Sequence, residues 1–367
     1  MDHRQDYSRY TSPHFDRPHP KVLRMTMNNG RINGTDHAFQ SRKRLTVAVV
    51  GLGNIGAGIA GALRFADQHD LIACARRPID HIILERDGAT ATLPLRTITE
   101  PAQASAVDWV LLCCKAHDTP STAPWLARLC SKATRVAVLQ NGIGHVERVV
   151  PFIGGAAAIP SIVYYNGERL SPNHVRLRSV ARYDLVVPDD SIGCEFARTL
   201  EGTSLNVLLS GDFASFAWRK LLINVVVNPI TALTLQRQSV LRRDDVYALG
   251  LAVLHEAVAV AQADGARVTN DDAIKTMATL TAYSGTLGTS MYFDRLAGKK
   301  LEVDALTGTI VEAGDRHGIP TPLNRALLAL LRAISDTTDL SRVTDDECAS
   351  KEAFDGSDPV GTKGQTA

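Results

Sequence analysis

Three polar side chains at a regular spacing interrupt residues 218–234, a stretch that apart from Arg219 and two threonines is as apolar as a buried helix. They are Lys220, Asn224 and Asn228, each four residues after the one before. Because a step of four advances a helix by only about 40°, all three would share one face. Burying an ammonium or an amide without partners costs roughly 1–3 kcal/mol or more. The spacing therefore indicates a polar cleft, in which an ammonium could stabilise a developing alkoxide and then protonate it.

A purely structural interpretation of the same residues stays open at this point. A lysine can extend its ammonium from a helix edge, and an asparagine can satisfy a neighbouring backbone group. The helix that would carry them is predicted to begin after Asp212, a plausible N-cap. Pro229 predicts that it ends or kinks just after Asn228. The rest of the chain has to decide between the two interpretations.

A glycine pattern near the start of the folded region predicts a dinucleotide site. The six residues are Gly51, Leu52, Gly53, Asn54, Ile55 and Gly56. A β-branched run, Leu45–Val50, precedes them and a helix-like stretch, Ile55–Phe65, follows. In this strand-to-helix context Gly51 permits a tight turn, Gly53 lets the backbone approach a pyrophosphate, and Gly56 allows close packing. The helix N-terminus offers free N–H groups to the anion.

The end of the second predicted strand, Leu71–Ala75, indicates which dinucleotide is bound. An NAD-preferring domain usually carries Asp or Glu there to accept from the ribose 2′-hydroxyl. This strand is followed instead by Arg76 and Arg77. Arginine binds phosphate in a bidentate manner, so the pair favours the 2′-phosphate of NADPH. Two solvated surface arginines are the alternative.

Two further polar residues follow predicted strands of the same sheet. Strands are predicted at Ala89–Leu95 (the third), Asp108–Cys113 (the fourth) and Arg135–Leu139 (the fifth). Lys115 follows the fourth and Asn141 the fifth. Ligands bind outside the carboxyl ends of such strands, so both side chains are candidates for cofactor or substrate binding. A role in the turn alone is the alternative, since Asn-Gly is a frequent turn dipeptide.

The remaining elements complete an α/β fold. Ala156–Tyr165 and Val175–Val187 are predicted as strands that extend the sheet, Asp189–Leu200 as a helix and Leu205–Leu209 as a last strand. Later helices are predicted over Val246–Asp264, Asp271–Tyr283, Ser290–Ala297, Asp304–His317 and Leu323–Ile334. The prediction is a Rossmann-type NADP-binding domain over residues 45–211, followed by an all-helical substrate and catalytic domain over residues 212–336. Residues 1–44 and 337–367 are polar and are predicted to be disordered.

Composition excludes several functional classes. The 367 residues carry 40 basic and 39 acidic side chains, a net charge of +1, so no global field favours nucleic acid or an anionic membrane. No apolar run of about 18 residues predicts a transmembrane helix. The six cysteines are scattered and show neither a zinc spacing nor a disulfide framework. We expect a cytoplasmic protein without a metal; the sequence gives no oligomeric state, and a homodimer is compatible with it.

Ordered motifs from about Leu45 to Ile334 resemble the ketopantoate reductase (2-dehydropantoate 2-reductase) family. They include the glycine pattern, Cys114-Lys115-Ala116, Gln140-Asn141-Gly142-Ile143-Gly144, Trp218-Arg219-Lys220 with the two asparagines, Thr289-Ser290-Met291, and Glu302 after Gly298. Lys220 and Glu302 are the most specific of these. The resemblance implies a 6-phosphogluconate dehydrogenase-like fold with NADPH as cofactor and a small 2-oxo acid as substrate.

The resemblance also implies a role for each site residue. Lys220 would be the general acid for the ketone oxygen, and Glu302 would bind the substrate hydroxyl and help to place Lys220. The cleft would be lined by Asn141, Asn224 and Asn228, with Ser290 holding the carboxylate. Beside the glycine pattern, the cofactor-binding residues would be Arg76, Lys115 and Asn141, with Arg76 at the 2′-phosphate.

Two departures from the family leave the substrate open. Some relatives carry Asn three residues before the serine, where this chain has Leu287, and residues 178–183 replace an expected glycine-rich hairpin. A reductase of another 2-oxo acid is therefore one alternative. A non-catalytic NADP(H)-binding sensor is another. Such a sensor needs only the nucleotide site, so the complete set of Lys220, Asn224, Ser290 and Glu302 favours an enzyme.

Overall fold

The computed structural model describes residues 43–336, which form two compact units. Within that range, the first unit comprises residues 43–140 and 144–213, and the second comprises residues 141–143 and 214–336. The predicted fold class, an α/β domain followed by an all-helical domain, is confirmed. The disorder predicted for residues 1–44 and 337–367 concerns residues outside the described range, except Lys43 and Arg44. Arg44 is ordered, and its Nε donates to Asp70 Oδ1 at 2.6 Å.

The first unit alternates strands and helices. Its strands are β1 (Thr46–Val50), β2 (Asp70–Cys74), β3 (His81–Arg86), β4 (Ala89–Pro94), β5 (Thr97–Ile98), β6 (Trp109–Leu112), β7 (Arg135–Val138), β8 (Ala157–Pro160), β9 (Ile162–Val163), β10 (Asn166–Ser171), β11 (His174–Arg178), β12 (Leu185–Pro188) and β13 (Val207–Ser210). Its helices are α1 (Asn54–Ala66), α2 (Ala123–Leu129), α3 (His145–Val149) and α4 (Ser191–Thr199). The short α3 was not predicted from the sequence.

A parallel sheet with the strand order β5-β2-β1-β6-β7-β8 forms the centre of this unit. Its middle strand, β1, shows no alternation of apolar and polar residues because both of its faces are buried. Val47, Ala48 and Val49 all have 0% of their surface exposed. The carboxyl end of β1 leads directly into the glycine pattern, which places that pattern at the edge where ligands bind in such sheets.

The strand predicted at Ala89–Leu95 is confirmed, but its place in the parallel sheet is wrong. Residues 89–94 form β4, which pairs antiparallel with β3 in a separate sheet of order β10-β11-β3-β4. A two-residue turn joins β3 and β4, and both of its residues, Asp87 and Gly88, have positive φ, 51° and 81°. Such a turn is typical of antiparallel hairpins. The parallel sheet receives only the two-residue β5 at this position.

The prediction that residues 156–165 and 175–187 extend the sheet is wrong except for β8. Strand β9 pairs with β12 in a three-stranded sheet of order β13-β12-β9. Residues 175–187 contain two strands, because β11 belongs to the four-stranded sheet and β12 to the three-stranded one. A strand pattern in the sequence shows which side chains alternate, but it does not show which partner strand the backbone pairs with.

The second unit is helical and is built around one long helix. Its helices are α5 (Phe213–Thr234), α6 (Asp244–Ala263), α7 (Asn270–Ala282), α8 (Ser290–Leu296), α9 (Thr309–His317) and α10 (residues 322–336). Trp218, Leu222 and Val225 of α5 are at most 1% exposed and lie in the core cluster of this unit.

Pro229 was predicted to end or kink helix α5; the helix does not end there, but continues to Thr234. A proline inside a helix removes one main-chain donor and costs about 3 kcal/mol in isolation. Here the segment after it is held by burial, since Ile230 is 4% and Ala232 0% exposed. Thr231 also satisfies helix carbonyls with its side chain, donating from Oγ1 to Val227 O at 2.7 Å. Tertiary packing therefore overrides the local stop signal.

Helix α6 is long and apolar enough to cross a membrane by length and composition alone, although the sequence predicted no transmembrane helix. Its apolar residues Val253, Leu254, Ala257 and Val258 are buried in the core of the helical unit. The carboxylate of its Glu256 accepts hydrogen bonds from the N–H groups of residues 323 and 324, at the start of α10. These contacts are those of a core helix.

Candidate active site

The turn between β1 and α1 has no room for side chains at two of its glycines. Gly51 has φ 93°, and its N–H donates to Cys74 O at 3.1 Å. A Cβ at Gly51 would lie 2.9 Å from the backbone nitrogen of Cys114, and one at Gly56 would lie 1.9 Å from Gly51 O. Both positions therefore require glycine for the turn itself.

Gly53 differs from its two neighbours, because a Cβ there would meet no protein atom within 4 Å. It is the N-cap of α1 in an extended conformation and receives no side-chain cap. The first-turn N–H groups of the helix are thus available to an anion. Open space and N–H groups at the same place fit the pyrophosphate of a dinucleotide. Of the other loop residues, Leu52 and Ile55 are half-buried and Asn54 is exposed.

One contact of this loop was missed from the sequence. The side chain of Arg169 on β10 donates from Nη2 to Leu52 O, and to Gly53 O at 3.2 Å. Tyr165, just before β10, donates from its hydroxyl to Ile55 O at 2.8 Å. The sequence signal was weak: an arginine in a short polar strand looks like a surface residue unless the strand is known to pack on the glycine turn.

Arg76 and Arg77 are exposed directly after β2. The first carboxylate beyond them, Asp80, has its Oδ1 2.6 Å from His81 Nδ1. Residues 75–79, which follow β2, thus carry no acidic side chain. Lys115 is half-buried and precedes a short 3₁₀ turn, Ala116–Asp118, beyond β6.

Helix α5 carries Lys220, Asn224 and Asn228 without interruption, so the three occupy one face. Lys220 and Asn224 are half-buried and Asn228 is 3% exposed. Burial lowers the pKa of Lys220 from its ordinary value of 10.5 to about 8. The ammonium is therefore a better proton donor than a surface lysine and is still mostly charged at pH 7.

The lowered pKa of Lys220 has a defined effect on stability. The unfolded chain holds this proton up to about pH 10.5, whereas the folded protein releases it near pH 8. Between these values the unfolded state binds more protons, so the contribution of Lys220 to the free energy of unfolding rises with pH. Below about pH 8 the charged, desolvated lysine destabilises the fold to its full extent.

The structure brings Asn141 and Glu302 together. Asn141 donates from Nδ2 to Glu302 Oε2 at 3.1 Å, and Glu302 is only 6% exposed. Gly142 allows its segment to pack closely against residue 305, because it has φ 90° and a Cβ on it would lie 2.1 Å from Ala305 O. These residues come from segments 161 positions apart in the sequence.

A helical irregularity follows Glu302. Residues Asp304–Gly308 form a π-helical turn before α9 begins at Thr309, whereas the sequence predicted one regular helix from Asp304 to His317. Gly308 donates its N–H to Val303 O at 2.9 Å, the spacing of a π turn. Such turns occur frequently at functional sites. This one supplies the Ala305 carbonyl that meets Gly142.

Ser290 is exposed in the first turn of α8, and the N-cap of that helix is Thr289. Thr289 Oγ1 accepts from Tyr292 N at 3.1 Å and lies 2.8 Å from Thr231 Oγ1 of α5. The two buried threonines join the helix that carries Lys220 to the turn that carries Ser290. Thr231 was not singled out from the sequence, where it occurs in an apolar context, and Thr289 was named only as part of the Thr289-Ser290-Met291 motif.

Two family models match the chain over most of its length. "Ketopantoate reductase PanE/ApbA" matches residues 47–188, and "Ketopantoate reductase PanE/ApbA C terminal" matches residues 212–335. The chain is 39% identical to the 2-dehydropantoate 2-reductase of Mycobacterium tuberculosis, with 79% of this chain and 98% of the relative covered. The chain belongs to the ketopantoate reductase family.

Other relatives agree with this membership. The 2-dehydropantoate 2-reductase of Caulobacter vibrioides is 34% identical, with 78% of this chain and 98% of the relative covered. A solved PanE/ApbA family ketopantoate reductase from Ralstonia eutropha is 30% identical with a TM-score of 0.73, covering 80% of this chain and 99% of that one. The family resemblance stated from the sequence motifs is thus confirmed.

Cysteine and metal chemistry find no support in this member of the ketopantoate reductase family. The five cysteines within residues 43–336 are all free thiols. Burial raises the pKa of Cys74 to about 12 and those of Cys114 and Cys130 to about 11. Such thiols are protonated and unreactive at pH 7. Across the described part of the chain, no group of three or more His, Cys, Asp or Glu side chains could hold a metal ion.

Proposed function

We propose that this chain catalyses the NADPH-dependent reduction of 2-dehydropantoate to pantoate. Relatives at 39% and 34% identity carry the name of that activity and are covered almost completely. The observation that carries the proposal is the Glu302 carboxylate, which is only 6% exposed and accepts from Asn141 Nδ2 at 3.1 Å. A carboxylate is an acceptor for a hydroxyl, and the substrate has a hydroxyl beside its keto acid group.

NADPH would be held by the first unit. Gly53 and the first turn of α1 provide open space and N–H groups for its pyrophosphate. Arg76 would bind the 2′-phosphate, supported by its exposure and by the absence of a carboxylate at the end of β2. Lys115 would provide a further polar contact. When bound, NADPH supplies the hydride.

Lys220 would hold and deliver the proton. As the carbonyl carbon is reduced, negative charge develops on the ketone oxygen, and a nearby ammonium stabilises it. With a pKa of about 8, Lys220 is matched to proton donation near neutral pH. Its desolvation strengthens its interaction with a developing anion, because the local dielectric constant is lower than that of water.

The other polar residues would orient the substrate. Asn224 and Asn228 lie one and two helical turns beyond Lys220, where amide groups could bind the carboxylate or keto oxygen. Ser290, exposed beside a helix N-terminus, would bind the carboxylate. Glu302, held by Asn141, would accept from the substrate hydroxyl and help to place Lys220. No metal ion or covalent nucleophile is needed for this chemistry.

A single assay tests the proposal against its alternatives. NADPH oxidation is followed with 2-dehydropantoate and with a panel of 2-oxo acids, with and without a hydroxyl near the carbonyl. We expect the highest kcat/KM for 2-dehydropantoate. A higher kcat/KM for another 2-oxo acid would identify a different reductase, as the substitution at Leu287 leaves open. NADPH binding without turnover of any compound would favour the sensor. The cytoplasmic location and the homodimer stay expectations.

A further inference from the structure

The segment from Tyr165 to Arg169 contacts the carbonyl oxygens of residues 52–55 through every second residue. Tyr165 donates to Ile55 O at 2.8 Å, and Gly167 packs against Asn54 O, which a Cβ at Gly167 would approach to 2.4 Å. Arg169 donates to Leu52 O and Gly53 O. Three of the four successive carbonyls from Leu52 to Ile55 thus accept a hydrogen bond from this segment, and the Asn54 carbonyl lies against Gly167.

Arg169 differs from the other arginines of this hairpin in its partners. Its three hydrogen-bond acceptors are all main-chain carbonyls, those of Leu52, Gly53 and Pro172. Arg176, on the adjacent strand, is instead paired with the carboxylates of Glu85 and Glu168. The guanidinium of Arg169 is partly desolvated where it reaches these carbonyls, and this burial lowers its pKa. An arginine that made no hydrogen bonds to the turn would keep its guanidinium in water.

The direction of a carbonyl fixes the direction of the next N–H group. A trans peptide is planar, so its C=O and N–H point in opposite directions. When Arg169 draws the Leu52 carbonyl toward the hairpin, the Gly53 N–H points to the opposite side. The Gly53 carbonyl already accepts from Ala57 N at 2.8 Å within α1, so the contact of Arg169 with Leu52 O is the one that carries this effect. Gly53 is the position where a Cβ would meet only open space.

We propose that Arg169 is a positioning residue for the dinucleotide, which aims the Gly53 N–H group at the pyrophosphate by holding the carbonyl of Leu52. This inference rests on the proposed cofactor site but not on the identity of the substrate. Because the pyrophosphate is common to NADPH and NADH, Arg169 acts on both nucleotides equally. Arg76 acts only on NADPH.

Calorimetric titration of the substrate-free protein with NADPH and with NADH tests this role directly. Arg169→Met removes the donors and keeps the aliphatic bulk. We expect the Kd for both nucleotides to rise about tenfold, as for the loss of a well-placed hydrogen bond. Arg169→Lys keeps one donor and should recover most of the affinity. Arg176→Met is the matched control, because it breaks ion pairs in the same hairpin without touching the turn, and should leave both Kd values unchanged.

Kinetics and melting curves separate positioning from a general loss of structure. Arg169→Met should raise KM for NADPH about tenfold with kcat within about twofold, since the contact acts on binding and not on proton transfer. An Arg169→Met protein with wild-type affinity overturns the inference, as does a loss confined to NADPH or an equal loss in Arg176→Met. If Arg169→Met does not fold, Arg169→Gln takes its place, because its shorter side chain should not reach the Leu52 carbonyl; wild-type affinity of that variant for both nucleotides contradicts the role. A wild-type protein that binds neither nucleotide would overturn the proposed function as well.

Discussion

The two candidate sites of this protein are built in opposite ways. The cofactor turn in the α/β unit depends on side chains that are absent, since a Cβ at Gly51 or Gly56 would collide with backbone atoms. The polar set in the helical unit depends on side chains that are present and partly buried, with Lys220 desolvated and Glu302 held by Asn141. The first candidate site presents backbone groups to a ligand, whereas the second presents side chains.

This difference determines how each site responds to substitution. A backbone site tolerates changes only where a new side chain has room, so stability and cofactor binding can be lost separately. A side-chain site can lose its chemistry while the fold keeps or gains stability, because buried polar groups cost free energy. The following predictions use that contrast, from the largest expected effect to the smallest.

Replacing Lys220 should have the largest effect on catalysis. General acid catalysis contributes about 10²–10⁴-fold, so Lys220→Met should lower kcat by that factor. The melting temperature at pH 7 should stay equal or rise, because the desolvated charge is removed. Steady-state kinetics and calorimetric melting measure both effects. Lys275→Met, at an exposed lysine of the same unit, is the control and should change neither. A near-normal kcat in Lys220→Met would place the acid elsewhere.

Glu302→Ala should affect substrates according to their hydroxyl group. The loss of a charged hydrogen bond costs about 1.5–3 kcal/mol, so kcat/KM for 2-dehydropantoate should fall about 10- to 100-fold. An analogue without the hydroxyl should lose much less, because a site built to bind a hydroxyl discriminates by its buried polar group. Glu312→Ala, at an exposed glutamate of α9, is the control. An equal loss for both substrates would mean that Glu302 supports the structure and does not recognise the hydroxyl.

Two alanine substitutions in the cofactor turn should separate stability from binding. Gly53→Ala has room in the protein and a φ of −69° that alanine adopts, so its melting temperature should stay near that of the wild type. Its methyl group should instead obstruct the pyrophosphate, and a clash of about 1–3 kcal/mol raises the Kd for NADPH roughly 10- to 100-fold. Gly56→Ala should lower the melting temperature, because its Cβ meets Gly51 O at 1.9 Å. Wild-type NADPH affinity in Gly53→Ala would contradict the proposed pyrophosphate position.

Arg76→Ala should have the smallest effect and the most selective one. Arg76 is exposed, so we expect the lower end of the 1.5–3 kcal/mol range for a charged hydrogen bond, a rise of about tenfold in KM for NADPH. KM for NADH should barely change, since NADH lacks the 2′-phosphate. Arg96→Ala, another exposed arginine of this unit, serves as the control. Equal catalytic efficiency of the wild type with both cofactors would count against the NADPH assignment.

The same contrast explains what the sequence could predict. The cofactor turn occupies six consecutive residues, and its steric requirements appear directly as glycines between a strand and a helix. The Lys220 face appears because a helix repeats every 3.6 residues. The pairing of Asn141 with Glu302 spans 161 positions and has no local pattern. Only the family resemblance brought those two residues into one site.

The errors in the predicted fold have separate causes. The hairpin of β3 and β4 was missed although Asp87-Gly88 is a strong turn signal between two alternating runs. The strands after residue 160 were assigned to the wrong sheet because strand pairing depends on tertiary contacts. Helix α5 continues through Pro229 because the residues after the proline are buried, which the local sequence does not show. Arg169 has no sequence signature, because its role depends on where β10 packs.

The pH dependence of kcat/KM for 2-dehydropantoate tests the central claim most directly. If Lys220 donates the proton, the profile should be level below about pH 8 and fall about tenfold per pH unit above it, as the free enzyme loses that proton. In Lys220→Met the remaining rate should be low and should lack this break. A wild-type rate that stays level to pH 10, or a break near pH 8 that persists in Lys220→Met, would contradict the assignment of Lys220 as the general acid.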